Sequence, residues 1–149
     1  MPYRQNDAKT GQPVFGTHWA GLRNVGSYQV SGTPFLTGGS IPNINEHKIQ
    51  FPYVTKSITV IQSGSGVLRV AFAATASNGE ITNAHHYVTL NSAEDAITFN
   101  VKCKEIYLSA HEADSVSFEL TAELTGIHTG SMYTLTGSGI TDGHADWTG

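Results

Sequence analysis

The sequence of 149 residues has little charge, since Asp, Glu, Lys and Arg together make up 13% of it. That fraction is about half of the ~25% usual in globular domains. A helical bundle needs many Glu, Lys, Leu and Ala residues, so this composition argues against one. Hydrophobic residues still make up 39% of the chain, which is too apolar for a protein that is disordered throughout. The abundant Gly, Ser, Thr and Asn favour a β protein with many turns.

Cysteine is also scarce. Cys103 is the one cysteine, which excludes an internal disulfide framework and a zinc site built from several cysteines. No stretch approaches 18 consecutive apolar residues, and no apolar run of signal-peptide length follows Met1, so we expect neither a membrane span nor secretion. The net charge of −4 gives little support to nucleic-acid binding. We therefore expect a soluble protein made in a cytoplasm.

The charge is unevenly placed along the chain. Residues 105–149 contain seven acidic residues and no Lys or Arg, whereas residues 1–25 have a net charge of +2. Such an end-to-end asymmetry would suit head-to-tail packing between copies, although it can also be incidental.

Three zones differ in composition. Residues 1–25 form a polar, irregular N-terminal arm, residues 26–125 carry a period-2 alternation of polar and apolar side chains, and residues 126–149 form a Gly-, Thr- and Ser-rich C-terminal arm. The clearest alternation runs over Val116–Leu124, where every second residue is apolar. One buried and one solvated face is typical of antiparallel strands. The predicted strands are 27–31, 34–37, 48–51, 54–62, 67–74, 86–90, 96–101, 105–109 and 116–124.

About eight or nine short strands separated by turn signals predict an all-β protein. We predict an antiparallel β-sandwich of about eight strands, either jelly-roll or Ig-like, with extended N- and C-terminal arms. A sandwich is favoured over a closed barrel. The sequence leaves the strand order open.

Histidine offers one candidate metal site. His85 and His86 could bind a metal with Glu94, but adjacent residues of a strand point to opposite faces, so the two imidazoles cannot share one ion without a bulge. His111 and His128 fall in predicted turns. We therefore predict no metal site.

Cys103 and the Glu94–Asp95 pair are further candidates for catalytic or ligand-binding groups. Cys103 lies between two lysines that would lower its pKa, but no His or Asn partner or nucleophile elbow accompanies it. Glu94 and Asp95 could form a carboxylate pair, but their setting is typical of a polar hairpin loop. The two Gly-Ser-Gly segments, 64–66 and 137–139, are too short for phosphate loops. We interpret 64–66 as a turn, because glycine tolerates positive φ. We predict no catalytic residue and no cofactor.

The arms carry large apolar side chains in an otherwise polar context. These groups could anchor in pockets on neighbouring subunits, as aromatic hot spots do, or they could fold back onto their own sandwich. The predicted subunit-interface anchors are Phe15, Trp19, Leu22, Tyr133, Leu135, Ile140 and Trp147.

Several segments together resemble a group of small virion structural proteins from tailed bacteriophages of aquatic environments, including cyanophages. The likeness spans about residues 26–142. It lies in the general character of the sequence and in no single chemical motif, so it brings no known site residues. It implies a capsid decoration, or cement, protein located in the virion. Its implied partners are the major capsid protein and other copies of itself, as a homotrimer, with neither nucleic acid nor membrane. The segments are 26–32, 49–58, 85–92, 102–107 and 132–142.

We therefore expect a non-enzymatic protein that binds the assembled capsid and stabilises it. An alternative in the same class is a neck, tail or fibre component of the virion. An alternative of a different class is a carbohydrate-binding sandwich, in which Tyr53, Tyr87 and Tyr107 on one sheet face would stack against sugar rings.

Overall fold

The structure, a computed structural model, describes residues 21–42, 45–74, 76–77, 80–81, 86–111 and 115–135. It confirms the predicted all-β sandwich. One short helix, α1, spans Gly26–Gln29, and a single 3₁₀ turn spans Thr129–Ser131. None of the helices in the described ranges is long and apolar enough to cross a membrane. The strands are β1 Thr33–Ile41, β2 Glu46–Gln50, β3 Tyr53–Gln62, β4 Val67–Ala71, β5 Ala76–Ser77, β6 Glu80–Ile81, β7 Val88–Leu90, β8 Ala96–Phe99, β9 Glu105–His111 and β10 Val116–His128.

Two antiparallel four-stranded sheets face each other. One has the order β1–β10–β3–β8 and is called here the β10 sheet; the other has the order β2–β9–β4–β7 and is called the β9 sheet. The remaining strands, β5 and β6, form a small ribbon inserted between β4 and β7. Leaving out this ribbon, the described residues contribute eight strands to the sandwich.

The strand order distinguishes between the two sandwich types that the sequence left open. Among these eight strands the first pairs with the eighth, the second with the seventh, the third with the sixth and the fourth with the fifth. This is the pairing of one long hairpin rolled into two sheets, which defines a jelly roll. In an Ig-type sandwich several pairs of consecutive strands would pair directly, whereas here only β4 and β7 do so. The fold is therefore a jelly roll.

The core lies between the sheets and follows the predicted alternation. Val116, Phe118, Leu120, Ala122 and Leu124 of β10 are all buried, while the residues between them are exposed or half-buried. The β9 sheet contributes a matching set of fully buried apolar side chains. They include Leu68, Val70, Ile106, Leu108 and Ala110.

Two edge-to-face aromatic pairs lie at opposite edges of the sandwich. The rings of Phe35 and Phe51 are 5.2 Å apart next to β1 and β2, which are the edge strands on one side. The rings of Phe72 and Phe99 are 5.0 Å apart next to β8, an edge strand on the other side. Such pairs contribute about 0.5–1.5 kcal/mol beyond the area they bury. They fill the space between the sheets where strand pairing ends.

One predicted turn is confirmed in detail. The residues between β3 and β4 form the expected turn, and Gly66 has a φ of 104°, a conformation that residues with a Cβ rarely adopt. The buried Gln62 at the end of β3 donates a hydrogen bond from Nε2 to the Gly66 carbonyl at 2.5 Å. This contact ties the turn to the end of the strand.

The predicted strand at residues 27–31 is wrong, because α1 occupies most of that segment. The amides of Tyr28 and Gln29 both donate to the Val25 carbonyl, and the Asn24 side chain accepts a hydrogen bond from Gly26 N at 3.0 Å. Side-chain acceptors of this kind favour a helix start over an extended chain. An alternation over five residues is too short to tell these outcomes apart.

Some strand ends also differ from the prediction. β4 stops at Ala71, before the predicted end at residue 74, and β10 continues to His128, four residues past its predicted end. The predicted boundary of the sandwich at residue 125 therefore lies inside β10. Bulges in the β10–β3 pairing near Leu124 interrupt the simple alternation there, which hid the continuation of the strand.

Gly38 and Gly39 in β1 give a matched test of this packing. A Cβ on Gly38 would lie 2.9 Å from the carbonyl oxygen of Phe118, whereas a Cβ on Gly39 would meet only the Phe118 ring at 3.9 Å. We therefore predict that Gly38→Ala lowers the free energy of unfolding by about 1–3 kcal/mol, because backbone atoms must move. Gly39→Ala should leave it unchanged or raise it by up to about 1 kcal/mol. Urea denaturation of both variants measures the difference, and equal effects would contradict the described register of β1.

Candidate interaction surface

The outer face of the β9 sheet is covered by the chain itself. The β5–β6 ribbon lies against β9 and β4, and Tyr87 packs on Ala71 and Tyr107. As a result Ala71, Tyr107 and Ser109 are buried although they lie on the outward side of the sheet. The alternation of β9 is lost because both of its faces are buried.

Charged groups are concentrated on this covered face. Lys48 Nζ lies 3.5 Å from a carboxylate oxygen of Glu105, which also accepts a hydrogen bond from the Tyr107 hydroxyl. The Arg69 guanidinium lies 4.2 Å from the centroid of the Tyr87 ring. Burial and the bond to Glu105 hold the pKa of Tyr107 well above its ordinary value. These groups interact with one another and are used within the molecule.

The outer face of the β10 sheet has the opposite character. Its register places thirteen strand residues on the outward side, and all of them are exposed or half-buried. Glu119 and Glu123 are the only charged residues among the thirteen, and none is Lys or Arg. The other eleven are Pro34, Leu36, Gly38, Ser40, Ser57, Thr59, Ile61, Ala96, Thr98, Ser117 and Thr121.

Four of the eight polar side chains on this open face are hydrogen-bonded to one another. The Thr59 and Thr98 hydroxyls are 2.9 Å apart, and Ser57 donates to a Glu123 carboxylate oxygen at 2.8 Å. These four groups would keep a hydrogen bond if another protein covered this face. Little charge would need to be desolvated.

A shallow apolar depression interrupts the open face near its β1 edge. Its volume is about 410 Å³, and its lining includes Leu36, Gly38, Ile61 and Thr121. Leu36 is 75% exposed, more than any other large hydrophobic residue in the described ranges. The position is the outward side of an edge strand, so no neighbouring strand of the same chain covers it. We take the outer face of the β10 sheet, with this depression, as the candidate interaction surface.

The structure describes three of the predicted interface anchors, and they lie away from the open face of the β10 sheet. Leu22 and Leu135 pack against a second small cluster formed by Val54, Ile127 and Met132 of the same chain. Tyr133 is 40% exposed nearby. The other four predicted anchors lie outside the described residues: Phe15, Trp19, Ile140 and Trp147.

An open groove adjoins that second cluster. It has a volume of about 580 Å³ and is lined by Tyr28, Tyr133, Lys56 and Lys102, among others. Lys56 Nζ is already used, since it donates to the Val30 carbonyl at 2.7 Å. Burial and the nearby Tyr133 raise the pKa of Tyr28. The groove brings the start and the end of the described chain together.

The tyrosine platform proposed for sugar binding does not form. Tyr53 lies in β3 of the β10 sheet, whereas Tyr107 lies in β9 of the other sheet and is buried. Tyr87 has its ring against Arg69. The sequence order of these residues gave no information on which sheet each would join.

The histidines and acidic residues weighed in the sequence occupy separate places. His86 is half-buried just before β7, and His85 lies outside the described residues. His111 and His128 end β9 and β10, so the prediction that they lie in turns is wrong. In the ranges that the structure describes, no three His, Cys, Asp or Glu side chains are grouped closely enough to hold a metal ion.

Glu94 and Asp95 lie in a loop, as predicted, but this loop joins strands of different sheets and is therefore not a hairpin. They lie in the connection between β7 and β8, where an Asp95 carboxylate oxygen accepts hydrogen bonds from the amides of Asn91 and Ser92 at 3.2 and 2.9 Å. Glu94 has a φ of 70°, and its amide donates to the Gln62 carbonyl. The Asp95 carboxylate therefore stabilises a turn.

The predicted effect on Cys103 is wrong in sign. Its thiol is fully buried in the core, 3.5 Å from Thr55 Oγ1, and burial raises its pKa to about 11. Desolvation outweighs the hydrogen bonds to Thr55 and to the Glu105 backbone, which lower the pKa. The ammonium group of Lys104 points to the Met132 carbonyl. The thiol is therefore protonated at neutral pH, which makes it a weak nucleophile.

Sequence reasoning missed the open face and its exposed leucine. The alternation identified the outward residues of single strands, but only the strand order shows that they form one surface with little charge. The available signal was the segment 33–41, which has nine residues and no charge. Uncharged edge strands are exceptional because they invite pairing with another chain.

Comparison of the sequence with protein-family models found no match, and comparison with curated proteins found no significant one. Among solved structures, the chain is similar to an HTH_3 family transcriptional regulator from Vibrio cholerae, with 13% identity, a TM-score of 0.39 and coverage of 60% of this chain and 42% of that one. A cupin domain from Bordetella pertussis has 13% identity, a TM-score of 0.38 and coverage of 64% and 86%.

A third similar structure is that of Bacillus endospore appendages, described as disulfide-linked pili, with 14% identity, a TM-score of 0.34 and coverage of 64% and 91%. The chain spans less than half of the Vibrio cholerae regulator. At these identities and TM-scores the likenesses carry no conclusion about activity or partner. The assignment of the jelly roll depends on the strand pairing alone.

The buried environment of Cys103 predicts that its thiol reacts slowly with thiol reagents. Raising a thiol pKa from 9.0 to about 11 lowers the thiolate fraction at pH 8 about 100-fold, and burial blocks access as well. We expect the native chain to react with Ellman's reagent at least about 100-fold more slowly than the chain unfolded in guanidinium. Cys103→Ala gives the background rate. Native and unfolded chains that react equally fast would contradict this placement of the thiol.

Proposed function

We propose that this protein is a non-enzymatic structural component of a phage virion that binds the assembled capsid and stabilises it. Jelly rolls occur in viral capsid proteins, among other classes, so the fold is compatible with that role. The resemblance to small virion proteins of aquatic tailed phages supports the same class. The proposed partners are the major capsid protein and further copies of this chain.

The observation that carries the proposal is the contrast between the two outer faces. One face is covered by the chain's own β5–β6 ribbon and holds most of the charged contacts. The thirteen paired outward residues of the other face include two carboxylates and no Lys or Arg, and Lys56, at the bulge of β3, lies outside this set. A surface rich in small hydroxyl and apolar groups can stack on protein without desolvating many charges. We propose that the open face of the β10 sheet contacts the capsid.

Stabilisation of the shell would follow from mass action. A protein that binds the assembled shell and not its separate subunits shifts the equilibrium towards the shell. Repetition over many equivalent sites lets a weak single contact suffice. The proposed mechanism therefore needs adhesion alone, and the buried, protonated Cys103 is consistent with a protein without a nucleophile.

A charge placed in the middle of the open face tests the proposal. Thr121 lies on β10 between β1 and β3, so Thr121→Arg puts a bulky cation at the centre of the open face. Glu119 and Glu123 lie on the same side of β10, and their opposite charge keeps the cation compatible with the fold. We expect at least about tenfold weaker binding to heads of the phage that encodes the chain, because the cation must be desolvated. Co-sedimentation measures the binding.

Gln50→Arg is the matched control. Gln50 is exposed, lies on the other sheet opposite Glu105, and receives the same change of charge. It should bind heads like the unchanged protein, and both variants should melt within a few degrees of it. Equal binding by Thr121→Arg, or binding of the unchanged protein to isolated tails and never to heads, would contradict the proposal and favour a neck or tail component.

A further inference from the structure

Strand β1 is the longest uncovered edge of the described sandwich. The four edge strands are β1, β8, β2 and β7, with nine, four, five and three residues. Six of the nine residues of β1 are exposed. An edge strand has a row of backbone N–H and C=O groups on its free side, and these can pair with another strand.

This edge has few of the features that usually prevent such pairing. Natural edge strands are protected by charged side chains, bulges or prolines. β1 contains no charged residue, and its pairing with β10 is regular over all nine positions. Pro34 is the second residue of β1. It has no backbone N–H, and this removes a hydrogen-bond donor only near the end of a ladder.

The sequence of β1 is complementary to itself about Thr37. Two bulky residues, Phe35 and Leu36, precede Thr37, and two glycines, Gly38 and Gly39, follow it. If two copies of β1 pair antiparallel with Thr37 opposite Thr37, each Leu36 faces Gly38 of the second copy, and each Phe35 faces Gly39. Bulky residues then meet the residues without side chains, with no like charges opposed.

The geometry around Leu36 fits this arrangement. Leu36 and Gly38 lie on the outward side of the β10 sheet, and both line the depression of about 410 Å³. Position 38 stays without a side chain, because a Cβ there would lie 2.9 Å from the Phe118 carbonyl oxygen. A leucine from the second copy would lie opposite this glycine and bury its own apolar surface in the depression.

We propose that two copies of this chain pair antiparallel through β1, with Thr37 at the two-fold axis, to give one continuous eight-stranded sheet. A two-fold contact of this kind is isologous, so both copies use the same surface. The pairing differs from the homotrimer that the resemblance implies. It does not depend on the proposed capsid role, since it concerns the free chain in solution.

Sedimentation velocity of the full chain, measured over a wide range of concentration, tests the proposal. The chain should show a concentration-dependent equilibrium between the 15.9 kDa monomer and a dimer. Leu36→Glu should weaken it about tenfold or more, because it removes the apolar contact and places a carboxylate near Glu119 of the second copy. Thr98→Glu, on the same face at the opposite edge strand, should leave it unchanged.

Disulfide trapping tests the register. Directly opposed Cα atoms of paired strands lie about 4.5–5.5 Å apart, within the range of a disulfide. Thr37→Cys should therefore form a covalent dimer under mild oxidation. In the same register the two copies of residue 40 are about 20 Å apart, so Ser40→Cys should not cross-link at a comparable rate. The buried Cys103 should not interfere.

Several results would overturn the proposal. They are a chain that remains monomeric at every concentration, a trimer that Leu36→Glu does not affect, and cross-linking of Ser40→Cys as fast as that of Thr37→Cys. Circular dichroism of each variant shows that it is folded, so that a loss of association cannot be ascribed to unfolding. None of these measurements involves capsids, so the two proposals can fail separately.

Discussion

The pairing of β10 between β1 and β3 is the constraint on which the rest of the structure depends. A jelly roll closes only when its last strand returns beside its first, and here that ladder runs without interruption over all nine residues of β1. The alternation of β10 then assigns its two sides. One side fills the core with Val116, Phe118 and Leu120, and the other leaves Ser, Thr and Glu residues in water.

The size of the open face connects the two proposals. At strand spacings of about 4.8 Å and rises of about 3.4 Å per residue, four strands of some seven residues cover about 450 Å². A standard stable interface buries about 800 Å² on each partner. One β10 sheet is therefore small for a lasting contact. Two sheets joined at β1 would double this area of low charge and present it as a single surface.

The parts of the fold that sequence could predict are those set by local pattern. The alternation over Val116–Leu124 predicted a long strand with one buried and one solvated face, because the side-chain period of a strand is a local property. The segment Gly64–Gly66 predicted a chain reversal, because the φ range open to glycine is also local. The Asp95 loop was predictable for the same reason. Long-range placement was not predictable. Whether a tyrosine joins one sheet or the other depends on the strand order, which short alternating segments leave open.

The errors have a common physical origin in burial. The lysines beside Cys103 suggested a lowered pKa, but the sign depends on how deeply the thiol is buried, and that depends on Thr55 and the chain packed around it. The open face was missed likewise, since the β5–β6 ribbon that covers the other sheet has no distinctive sequence pattern. Exposure is a property of the assembled sheets.

Electron cryo-microscopy of the whole virion would show both the location and the orientation of the chain. We predict density for this jelly roll on the outside of the head, with the β10 sheet turned towards the capsid subunits and the β5–β6 ribbon turned away. Density in the neck or tail, or on the head with the β10 sheet facing solvent, would contradict it.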